Sequence, residues 1–148
     1  MKINISRYAS PDSHFESLWL ECPNLIARGT GRDVFEIPGH PDKVLKVSNR
    51  QSNYSNWMEI LLCNQFKDGD ELAKIFSWSW SGRFVVVERL VPLSWDEFTS
   101  HSFPCYLTDR KLEKYGKDAL EKIKSLDYAA LVIDVPWSDL LWVAHSAP

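Results

Sequence analysis

The sequence predicts an α+β domain: a five-stranded antiparallel sheet with one helix crossing it, followed by a short, mainly helical C-terminal part. Three observations carry this. Short apolar runs between residues 24 and 92 read as strands, the clearest of them with strict period-two alternation. The period changes once, in NYSNWMEILLCNQF from Asn53, where Trp57, Ile60, Leu61 and Phe66 fall near helical spacing. Turn-forming clusters separate the strand-like runs, so neighbours in sequence pair locally.

Residues 1–22 are mostly polar, with the aromatics Tyr8, Phe15 and Trp19, and read as an arm or a short helix. NLIARGTGRDVFEI reads as two strands around a glycine turn. PGHPD (38–42) is dense in turn formers and must be a loop, and KVLKVS is a short apolar strand. After the helix, KDGDE makes a loop. In LAKIFSWSWSGRFVVVERLVPL, Phe76, Trp78 and Trp80 alternate with Ser77, Ser79 and Ser81, which is a strand with one aromatic face. Ser81-Gly82 is the hairpin turn and RFVVVERL the returning strand. SWDEFTSH starts a helix with Ser94 as N-cap. LTDRKLEKYGKDALEKIKSLDYAALVI reads as mostly helical, and DVPWSDLLWVAHSAP, broken by Pro136, as strand or loop.

The chain has 148 residues, 45% of them hydrophobic and 13% aromatic, enough for one domain with a packed core and too many aromatics for a disordered chain. The formal charge of −3, without a long basic run, argues against nucleic acid as the main partner. No apolar run reaches the roughly 18 residues of a membrane span. MKINISRYASPDSHF does not read as a secretory signal. Cys22, Cys63 and Cys105 show no CxxC spacing and read as buried thiols of a reducing cytoplasm. The four histidines form no ligand-spaced pair.

Lys46 is the residue that asks for an explanation. In KVLKV, Val44 and Lys46 share one face and Leu45 and Val47 the other, and both faces are covered. An unpaired buried ammonium is expensive, so Lys46 needs an anion. Two are open to it: the carboxylate of Glu59, the one acidic residue of the following helix, or a ligand phosphate. The turn with Gly29 and Gly31 can bring backbone N–H groups near such an anion.

Together these residues resemble the small lobe of the protein-kinase fold. IARGTGRDVF looks like the glycine-rich loop, with Ala27, Gly29 and Arg32 at the family's three glycine positions and Val34 at the valine that roofs the adenine. KVLK resembles V-A-I-K, with Val44 at the alanine and Lys46 as the phosphate-binding lysine; Glu59 matches its helix partner. VVVERL resembles the strand leading into the hinge, with Val87 as gatekeeper and the backbone of Glu88 and Leu90 as adenine contacts. The HPDKVLKV cadence is similar to that of small kinase-like proteins of bacteria and phages. VIDVPWSDLLWV is similar to H-R-D-L-K-P-E-N-L-L-L, which sets Asp134 at the catalytic base and Asp139 at the metal-binding asparagine. Val132, Ile133 and Pro136 replace that motif's histidine, arginine and lysine; nine residues follow Asp139, with no D-F-G among them.

The resemblance implies an N-terminal arm (1–22), a kinase-like small lobe (23–92) and a truncated helical remnant of the large lobe (93–148). The ligands it implies are ATP and magnesium, the latter at Asp139. Three functions are open. The first is a pseudoenzyme that regulates or inhibits by docking on a protein or a second copy of itself, through Trp78, Trp80, Trp137 and Trp142. The second is a minimal active Ser/Thr kinase. The third is an unrelated α+β interaction domain. The aromatic stripe at 76–80 also fits a core role, and Asp134 and Asp139 also fit turn and cap roles.

Overall fold

The computed structural model describes residues 5, 8–29, 31–50, 52–65, 71–103 and 111–126. Strand β1 (Tyr8–Ser10) leads into helix α1 (Asp12–Leu20). Strands β2 (Leu25–Arg28), β3 (Arg32–Glu36) and β4 (Lys43–Ser48) precede helix α2 (Tyr54–Gln65). Strands β5 (Ile75–Ser79) and β6 (Phe84–Glu88) form the hairpin that follows. Then come β7 (Val91–Pro92), α3 (Trp95–Thr99), a 3-10 turn (Leu112–Lys114), β8 (Tyr115–Lys117) and β9 (Ile123–Ser125).

The main sheet has six strands in the order β1-β5-β6-β4-β3-β2. The five strands expected from local pairing are present and antiparallel. The sixth, β1, pairs parallel with β5, Tyr8 facing Ser77 and Ser10 facing Ser79. The strand faces separate as expected. Val44 joins Ile60, Trp78, Val85 and Val87 under α2. Leu45 and Val47 join Phe84, Val86 and the α1 residues Phe15 and Leu18 on the opposite face. A helix therefore covers each side of β4, and a lysine within it has no direct route to water.

Two expectations need correction. The aromatic stripe does not share one face. The β5–β6 register shifts between Ile75 and Ser77, so Phe76 packs on the α1 side while Trp78 packs on the α2 side. Trp78 is 7% exposed and belongs to the core, whereas Trp80 is 66% exposed.

The second correction concerns residues 111–126, read as mostly helical. They form β8 and β9, which with β7 make a second sheet in the order β7-β8-β9. Lys and Glu favour helix, but tertiary pairing overrides that preference. The Asp118 carboxylate accepts from the N–H groups of Leu120 and Lys122, and Glu121 takes φ 62°. This turns the chain back, so Tyr115 faces Ser125 and Lys117 faces Ile123. Gly116 permits the fit, since a Cβ there would lie 2.5 Å from the Leu90 Cβ. Ser94 caps α3 as expected: its hydroxyl accepts from the Glu97 N–H and the Glu97 carboxylate accepts from the Ser94 N–H, a complete capping box.

Candidate functional site

The site begins with strand register. Val34 faces Lys46 and Arg32 faces Ser48 across the β3–β4 ladder, which puts Arg32 and Lys46 on the α2 side of the sheet. Glu59 sits on the inner face of α2, fully buried, and Lys46 is 5% exposed. Of the two anions open to the lysine, the carboxylate is present. Lys46 Nζ donates to Glu59 Oε1 and Oε2 at 3.2 and 3.1 Å.

Two further groups converge there: Arg32, which the resemblance set at a glycine position of the loop and not beside Glu59, and a backbone carbonyl that the sequence did not mark. Arg32 Nη1 lies 2.5 Å from Glu59 Oε2, and the Arg32 side chain is itself buried. The backbone carbonyl of Leu126, just beyond β9, accepts from Lys46 Nζ at 2.5 Å. An ammonium has three N–H donors. Both Glu59 oxygens and the Leu126 carbonyl lie within hydrogen-bond reach of the Lys46 nitrogen.

The glycine turn lies beside this cluster, with part of its hydrogen bonding already internal. The Gly29 N–H donates to the Arg32 carbonyl at 2.8 Å, closing the turn rather than pointing to an anion site. The Gly31 carbonyl accepts from the Asn49 N–H at 3.0 Å. Neither glycine adopts a positive φ, so neither is required by backbone conformation.

Val34, expected to roof an adenine, Val44 at the alanine position and Val87 at the gatekeeper are together in the α2-side cluster, and Val44 faces Val87 across the β4–β6 ladder. The chain leaves β6 at Glu88, and Leu90 enters a third cluster with Met58, Leu62, Leu72 and Tyr115. A cavity of about 360 Å³ opens here, lined by Leu90, Pro92, Leu93, Leu112, Glu113, Tyr115 and Leu126. It is mostly apolar and runs between the strand exit and the second sheet.

The side chain of Glu88 does something the sequence did not indicate. Its carboxylate accepts from Lys124 Nζ at 3.0 and 3.3 Å, and Asp118 lies 3.1 Å from the same nitrogen. The Lys124 side chain is 4% exposed. Burial pulls its pKa down, but the hydrogen bonds to Glu88 and Asp118 outweigh that and hold it above the ordinary lysine value. Burial likewise pushes Asp118 up, and the Lys122 N–H and Lys124 outweigh it and hold the carboxyl below its usual range.

Asp134, Asp139, Trp137 and Trp142 lie outside the described residues, and so do Phe66 and Cys105. Among the described residues no group of three or more His, Cys, Asp or Glu is placed to hold a metal ion. No helix among them is long and apolar enough to cross a membrane.

No family model and no curated protein sequence matches the chain. Solved structures do. An apo pseudokinase superposes with a TM-score of 0.55 at 10% identity, over 84% of this chain and 64% of that one. An aminoglycoside phosphotransferase, solved as a ternary complex with streptomycin and ATP, superposes over 62% of this chain and 32% of that one, with a TM-score of 0.38 at 16% identity. The chain thus spans less than two thirds of the length of either structure.

Proposed function

We propose that this chain, whose fold is protein-kinase-like, is a pseudoenzyme that acts as a protein-binding regulator and does not transfer phosphoryl groups. One observation carries the reading: the Leu126 carbonyl accepts from Lys46 Nζ at 2.5 Å, on the nitrogen a phosphate oxygen would have to reach. Phosphoryl transfer is mostly positioning and charge neutralisation, and a lysine capped by its own backbone supplies neither. The closed Gly29 turn and the Arg32 side chain against Glu59 point the same way.

If a nucleotide does enter, Lys46 and Arg32 are the cations on hand for its phosphates, with the base beside Leu90 and the backbone of Glu88. Magnesium would add charge neutralisation at those phosphates, and Asp139 is its candidate ligand by resemblance. Docking falls to exposed aromatics. Trp80, 66% exposed at the end of β5, is of the kind that anchors protein interfaces, whether with another protein or with a second copy. The buried Cys22 thiol suits a reducing cytoplasm, and the HPDKVLKV cadence suits a bacterial or phage regulator.

The second reading, a minimal active kinase, has one observation in its favour. The Lys46–Glu59 pair is formed, as an active small lobe requires. Incubation with γ-labelled ATP, magnesium and protein acceptors separates the two. The expected result is no label above that seen with Lys46→Ala. Transfer that disappears in Lys46→Ala establishes the kinase instead.

A further inference from the structure

We propose that the β8–β9 hairpin is a plug in the Lys46 site, latched by Lys124, and that a polyphosphate binds Lys46 only by displacing the Leu126 carbonyl. The inference rests on the kinase-like reading of Lys46 as an anion-binding residue.

The geometry is competitive. Three acceptors already surround Lys46 Nζ, as many as an ammonium has N–H groups, so an incoming oxygen must displace one of them. The bonds to Glu59 are charge-assisted on both sides and lie in the core. The bond to Leu126 has a neutral acceptor, so it is the weaker one.

What holds that carbonyl in place is the rest of the strand. The Ser125 N–H donates to the Glu71 carbonyl at 2.7 Å, and the Ser125 carbonyl accepts from the Ala73 N–H at 2.8 Å. The Leu126 N–H donates to the Lys114 carbonyl at 3.0 Å. Two residues before the plug, the buried Lys124 ammonium ties the strand to Glu88, at the end of β6, and to Asp118, in the hairpin's own turn. The Leu126 side chain also walls the cavity beside Leu90. Moving the hairpin therefore opens the lysine end and the strand-exit end of the site together. Linkage makes the coupling reciprocal: whatever loosens the hairpin tightens polyphosphate binding, and bound polyphosphate loosens the hairpin.

Hydrogen exchange and calorimetry with tripolyphosphate test this. In wild type, saturating tripolyphosphate is expected to accelerate exchange at the Ser125 and Leu126 amides. In the charge-neutral variant Glu88→Gln/Asp118→Asn/Lys124→Met, those amides are expected to exchange at least about tenfold faster without ligand. The same variant is expected to bind tripolyphosphate at least about tenfold more tightly, since each tenfold is about 1.4 kcal/mol. Adding Lys46→Ala is expected to remove that binding.

Equal affinities in wild type and variant overturn the plug, as do amides that bound ligand slows, or a loosened variant that binds nothing. An unaltered hairpin in the variant overturns the latch. If the variant does not fold, the wild-type exchange measurement decides: ligand-induced acceleration supports the plug, and its absence, or the absence of binding, overturns it. The two readings fail separately. ATP bound without hairpin movement overturns the plug and leaves the pseudoenzyme standing. Label transferred from ATP, with faster hairpin exchange, does the reverse.

Discussion

At Glu59 one fully buried carboxylate faces an ammonium and a guanidinium. Removing the shared anion strips both buried cations of it, whereas removing Lys46 leaves Glu59 its contact with Arg32. Glu59→Gln should therefore cost about 3–5 kcal/mol, the usual range for breaking a buried ion pair. Lys46→Met should cost less, on the order of 1–3 kcal/mol, chiefly for the acceptors it deserts. Urea unfolding of the two variants checks the order; equal losses would mean that Arg32 does not share the carboxylate. The need of Lys46 for an anion was legible in the sequence, because a lysine between Val44, Leu45 and Val47 has nowhere dry to go unpaired. Arg32 was not. It stands in a polar run after a glycine turn, and only its register opposite Ser48 shows that it faces α2. Leu126 was invisible for a simpler reason: its contribution is a backbone carbonyl, which every residue carries.

At the scale of single elements, the glycines divide by what surrounds them. A Cβ on Gly29 or Gly31 would meet its nearest neighbours at 3.4 and 3.5 Å, ordinary contact distances. Alanine at either position should leave stability within about 0.5 kcal/mol of wild type. At Gly116 the same Cβ would meet Leu90 Cβ at 2.5 Å and the Val91 carbonyl at 2.9 Å. Gly116→Ala should lose about 1–3 kcal/mol by forcing β8 off β7. Thermal melts of the three variants test the contrast, and a damaging Gly29→Ala would return the glycine turn to a structural role. The sequence did not mark Gly116 because it sits in a Lys/Glu-rich stretch whose pairing with β7 spans a long separation, whereas a glycine doublet is conspicuous. The contact between α3 and β8 carries a pH signature. The Lys117 hydrogen bond, with the capping box, lowers Glu97 from 4.5 to about 2. A lowered carboxyl stabilises the fold above its unfolded value, and that contribution fades as pH falls from about 4.5 through about 2. Glu97→Gln should flatten this part of the acid limb in a pH-dependent unfolding series; an unchanged limb would rule out the pair as its source.

Across the whole molecule, the sheet was readable where pairing is local and unreadable where it is not. Strands β2 to β6 follow one another through short turns or one helix, so alternation and turn residues suffice. Strand β1 has three residues, too few to show a period, and its partner lies far along the chain. Helix α1 hid its role because Phe15 and Leu18 are its buried residues in an otherwise polar segment. Yet Phe15 is fully buried and stacks on Phe84 at 6.1 Å between ring centres. This makes the N-terminal segment part of the core, and it predicts how the molecule unfolds. Strands β4 and β6 are central and have a helix on each face, so their amides should exchange most slowly, at the cost of global unfolding. Strand β2, exposed along its length at the sheet edge, should exchange fastest. Phe15→Ala should cost about 3–5 kcal/mol as a cavity on the α1 face. If the two faces form one cooperative unit through the shared strands, protection must fall equally for β4, for β6 and for Ile60–Leu62 of α2 on the far side. Loss confined to α1 would show instead that the α2 face, with Lys46 and Glu59, keeps its structure without the N-terminal helix.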